Sequence, residues 1–86
     1  MQVRITQAIV DALGTMRDVP DNLRARFDAM KPADSGFALA LSDDDAMGLA
    51  ELAQWHMRTD PTTGKPTPES APFGELVRRI DEAQLG

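Results

Sequence analysis

Cysteine and tyrosine are absent from this 86-residue sequence, and histidine, tryptophan and asparagine occur once each, as His56, Trp55 and Asn22. Without cysteine there is no disulfide framework, no thiolate nucleophile and no Cys-ligated zinc site. One histidine cannot build a multi-histidine metal site. No apolar run approaches the roughly 20 residues that a membrane-spanning helix needs. Arg4, Gln7 and Asp11 interrupt the apolar residues of 1–17, so no continuous signal-peptide core forms there. These absences lead to the expectation of a soluble, cytoplasmic protein with no cofactor and no bound metal.

Basic residues are also scarce: nine Lys and Arg stand against fourteen Asp and Glu, a net charge of −5. The imbalance is confined to one half. Residues 1–42 are neutral, and residues 43–86 hold nine acids against four bases. Such a half repels a phosphate backbone, whereas nucleic-acid binders commonly carry a basic stripe. A protein partner with a basic surface, or a partner without charge, is the better match. Seven Arg against two Lys, with twelve Ala, point to a GC-rich coding sequence of the kind found in bacteria and bacteriophages.

What is present suffices for one core. Hydrophobic residues make up 42%, and a chain of this size forms a single domain, 1–86, with a radius of gyration of about 12 Å. Ile5, Ala8, Ile9, Ala12, Leu13 and Met16 share one face of a helix over 5–17. In the alternative, Thr6 caps that helix and Met1, Val3 and Ile5 alternate as a short strand. Pro20 suits a helix start, Leu23, Phe27 and Met30 form a stripe over 20–30, and Pro32 ends it. Asp34-Ser35-Gly36 signals a turn.

Phe37-Ala38-Leu39-Ala40-Leu41 reads as a strand, which needs residues 1–5 or a second copy as its partner. Ser42 is placed to cap a helix over 43–59, with Asp43, Asp44 and Asp45 in its first turn. Ala46, Leu49, Ala50, Ala53 and Met57 form its core face. Residues 60–70 are a proline-rich loop. A last helix over 71–84 buries Phe73, Leu76, Val77, Ile80 and Ala83, and pairs Glu75 with Arg79 and Arg78 with Glu82. The fold expected is mainly α: a small four-helix domain with room for a two-stranded ribbon joining 1–5 to 37–41.

Few residues nominate chemistry. Consecutive Asp43, Asp44 and Asp45 point about 100° apart on a helix and cannot converge on one ion. Asp60-Pro61-Thr62-Thr63-Gly64-Lys65 lacks the acids of a calcium loop, and Pro66 follows Lys65 where a phosphate loop has Ser or Thr. His56 lies at the edge of the core face, with no Ser or Cys placed to pair with it. An enzyme is therefore not expected.

Trp55 is the most informative side chain. It lies nearly opposite Ala46 and Ala53 on the helical wheel, two turns from Gly48 on the same ridge and beside Leu52. Either the 60–72 loop or the last helix folds over it, or a partner protein or second copy covers it. The expected partner-binding residues are Trp55, Gly48 and Leu52, with Asp43, Asp44, Asp45 and Glu51 as an acidic docking patch.

Phe37–Leu41, the capped helix, the loop and Phe73–Ile80 resemble a ribbon–helix–helix unit over about half the chain. That resemblance implies a dimer joined through 37–41 and contact with DNA. The sequence departs from the family at Ala38 and Ala40, where polar or basic base-reading residues are usual, and in the length of the helix-joining loop. The function expected is a non-enzymatic acidic interaction module (adaptor, inhibitor or antitoxin-like regulator) that binds another protein and is capable of forming a homodimer. The alternatives are a degenerate ribbon–helix–helix regulator associated with DNA, and an acidic nucleic-acid mimic.

Overall fold

A computed structural model describes residues 1–85. Strand β1 (Gln2–Ile5) leads into helices α1 (Gln7–Leu13) and α2 (Asp21–Asp28). Strands β2 (Lys31–Ala33) and β3 (Gly36–Ala40) follow, and then helices α3 (Asp43–His56) and α4 (Ala71–Leu85). The three strands form one antiparallel sheet in the order β1-β3-β2. The domain is thus mainly helical with a three-stranded sheet, and not a pure helical bundle. Its radius of gyration is 12.6 Å.

The start of the chain follows the strand alternative. Val3 and Ile5 alternate with exposed Gln2 and Arg4, and the Thr6 side chain accepts from the Ile9 amide to start α1. Ile5 therefore belongs to the sheet, and Ala8 is exposed. Val3 pairs with Leu39 and Ile5 with Phe37, so one face of the sheet turns inward.

Lys31–Ala33 adds a third strand to the two-stranded ribbon expected of 1–5 and 37–41. Helix α2 ends at Asp28, two residues before the expected boundary, and the chain then pairs with β3. Proline is tolerated there because β2 is an edge strand, where an absent N–H breaks no ladder. Gly36 completes the hairpin: a Cβ there would lie 2.1 Å from the Ile5 carbonyl oxygen, so any other residue would push β3 away from β1.

The helices cover the sheet's inner face. Val3, Ile5, Leu39 and Leu41 meet Ile9 and Leu13 of α1, Leu23 of α2, Leu49 of α3, and Leu76 and Ile80 of α4 in one buried cluster. Burying a side chain of this size contributes about 1.5–3 kcal/mol. Arg79 of α4 reaches across to donate to the Arg4 carbonyl at 2.8 Å, which satisfies a backbone oxygen of β1. Its Nε also binds Glu75 at 2.9 Å, and Arg78 binds both Glu75 and Glu82, so the expected helix pairs form.

Helix α3 ends at His56, three residues before the expected boundary. Met57 is extended, and the Arg58 amide donates to the buried Ser70 hydroxyl at 2.6 Å. Residues 59–66 form a small exposed excursion closed by a Thr59–Pro66 bridge, with Gly64 at φ 71°. This excursion does not fold over Trp55, which is 80% exposed.

Candidate functional site

The site is built on α3. Ser42 is extended, and its Oγ accepts from the Asp45 amide at 3.1 Å, as its sequence position predicts. Asp43 and Asp44 are exposed in the first turn and favour the positive end of the helix dipole. Asp45 behaves differently. It is buried, with one oxygen accepting from Asn22 at 2.8 Å and the other from the Arg26 Nε at 3.0 Å.

These partners pin α2 onto α3. The Asn22 hydrogen bond, with help from Ser42 and Arg26, holds the Asp45 carboxyl below its ordinary value against the opposing effect of burial. Asp45 is thus a structural anchor and leaves the exposed acidic patch expected of 43–45. Arg78 and Arg79 lower Glu75 in the same way.

On the outer side of α3, Gly48, Glu51, Leu52 and Trp55 line one shallow depression together with Pro20. Trp55 stands 80% exposed, and Met47, one turn before Glu51, is 65% exposed. Leu52 is half-buried and packs against the core. Among the described residues, nothing lies within 4 Å of where a Cβ on Gly48 would sit. Asp43 and Asp44 line a separate depression with Met47 and Gln84. The structure therefore groups Gly48, Glu51, Leu52 and Trp55, and sets the two free aspartates at the other end of the helix. Asp43, Asp44 and Glu51 have no ion-pair partner among the described residues.

His56 borders this face but is engaged with the protein's own backbone. Its Nδ1 lies 2.9 Å from the Leu52 carbonyl oxygen, and its Nε2 accepts the Arg17 amide at 3.4 Å. With Nδ1 as donor and Nε2 as acceptor, both contacts are met by one neutral tautomer. The ring also lies against Phe73, with centroids 5.8 Å apart. Among the described residues, no three of His, Asp and Glu gather as a metal-ligand set.

Two features escaped the sequence. The register aligns Arg4, Ala38 and Lys31 in one row across the outer face of the sheet. An apolar groove also opens between α1 and α2, lined by Val10, Leu13, Met16, Val19, Phe27 and Met30. Half-buried Val19 and Phe27 signal such a groove only once the helices are placed.

The chain matches no protein-family model and has no significant match among curated proteins or solved structures. The likeness to a ribbon–helix–helix unit also meets a geometric obstacle. Both edges of β3 are occupied within the chain, by β1 and β2, so 37–41 offers no edge to a second copy.

Proposed function

We propose that this protein is a non-catalytic interaction module that binds a protein partner through the outer face of α3. The observation that carries the reading is Trp55, an indole 80% exposed on the same ridge as Gly48. Exposed tryptophans are enriched among the residues that dominate binding energy. Glycine inside a helix costs about 0.5–1 kcal/mol relative to alanine. No described residue fills the space above Gly48, so bare backbone there is best explained by close approach from outside.

Glu51 lines this apolar ridge, and Asp43 and Asp44 lie at the other end of α3; none of the three has an ion-pair partner among the described residues. A partner that presents an apolar pocket bordered by Lys or Arg complements the ridge, with the charges acting mainly on association rate and orientation. A non-catalytic role is supported by His56, whose two ring nitrogens are both engaged with backbone groups.

The test is site-specific photo-crosslinking in the native cell. A benzophenone side chain in place of Glu51 or Gln54 should give discrete protein adducts that disappear on adding Trp55→Ala and weaken at high salt. Adducts no more frequent than those from exposed Asp81 on α4 would reject this face as the binding surface.

A further inference from the structure

The groove between α1 and α2 has a volume of about 220 Å³. That is below the roughly 300–1,000 Å³ of pockets that house drug-sized ligands. Apart from Arg24 at its rim, the side chains lining it are apolar. Its size and chemistry suit one large apolar side chain. This chain carries such a side chain unhoused, in Trp55. The two features flank a single turn: Val19 lines the groove, and the adjacent Pro20 lines the Trp55 depression.

We propose that two copies of this chain associate about a two-fold axis near the Val19–Pro20 turn, each placing Trp55 in the α1–α2 groove of the other. The proposal rests on the reading of α3's outer face as a protein-binding surface, and it names a second copy as an occupant of that face. Because knob and groove flank the same turn, reciprocal exchange closes the assembly at two chains. Bare backbone at Gly48 lets the partner's turn come close enough for the indole to reach the groove.

Charge complementarity favours the same partner. Glu51 lies one turn before Trp55 and Arg24 lies at the groove rim, and neither has an ion-pair partner among the described residues. Exchange brings each Glu51 towards Arg24 of the other copy. It also sets that guanidinium beside the inserted indole, a favourable cation–π arrangement. Asp43 and Asp44, in their separate depression, stay outside the contact and remain free for a basic partner.

Sedimentation equilibrium of the full chain over a dilution series tests this directly. The wild type should pass from monomer to dimer, and Trp55→Ala should weaken association by about thirtyfold or more, the size of a hot-spot truncation. Glu51→Arg and Arg24→Glu replace exposed residues, and circular dichroism checks that both variants fold. Each alone should dimerise more weakly than the wild type. An equimolar mixture should recover association, because the mixed pair restores both opposite-charge contacts. A wild type that stays monomeric at all concentrations, a mixture no tighter than its components, or open-ended chains would each overturn the proposal. A monomeric chain that still gives Trp55-dependent crosslinks to other proteins refutes the dimer alone. A monomeric chain with no such crosslinks refutes the binding face as well.

Discussion

Helix α3 has two unlike faces. On its inner face Ala46, Leu49 and Ala53 are 0% exposed, while Trp55, two residues beyond Ala53, is 80% exposed. The largest aromatic of the chain is thus outside, and small alanines hold the centre. Side-chain position on the helix, rather than hydrophobicity, decides the outcome: Ala53 lies within the core cluster, and Trp55 faces solvent beside Gly48. The inner face is fully accounted for by the fold. The outer face includes a glycine and a tryptophan at positions where alanine and a polar residue would serve the isolated domain better.

This contrast can be broken by substitution. Leu49→Ala should cost about 2–5 kcal/mol, because it removes buried methyl groups and leaves a cavity. Denaturant unfolding measures it, and a cost below about 1 kcal/mol would mean the inner face is not the core. Ser42→Ala should cost about 0.5–2 kcal/mol, because the Asp45 amide loses its acceptor. Gly48→Ala should stabilise the isolated chain by about 0.5–1 kcal/mol, since a methyl there meets nothing. Loss of stability instead would show that Gly48 is already packed by the chain itself.

Acid sharpens the comparison from the other side. Asp45 and Glu75 are both held below their ordinary values in the fold. Their contribution is present above the unfolded values, about 3.9 and 4.3, and is lost as pH falls through the lower folded values. Stability should therefore decline below about pH 4, and Asp45→Asn should flatten part of that decline. Unfolding curves of the wild type and Asp45→Asn across the acid range check this.

Much of this helix was legible in local sequence. The Ser42 cap, the Asp-rich first turn and the outward placement of Trp55 follow from spacing within a few turns. Helix α4 was likewise legible in its periodicity, and the β1–β3 pairing was one of the two partners that 37–41 left open. What could not be read depends on contacts between distant segments. Asp45 looks like its neighbours in sequence, yet Asn22 and Arg26 of α2 draw it inside. Lys31–Ala33 has too few residues to show alternation and becomes a strand only because β3 lies beside it. The α1–α2 groove arises from how two helices sit, a property that neither helix displays alone.

Trp55 tests the central claim most directly, because its fluorescence has no competing tryptophan in the chain. The measurement is emission and quenching by acrylamide, at a dilution where sedimentation gives the mass of a single chain. The account predicts solvent-like, red emission and ready quenching, with Trp55→Ala within about 0.5 kcal/mol of the wild type in stability, as for exposed positions. Blue-shifted, protected emission in the monomer, together with a loss of about 3–5 kcal/mol on truncation, would make Trp55 part of the core and contradict a free outer face on α3.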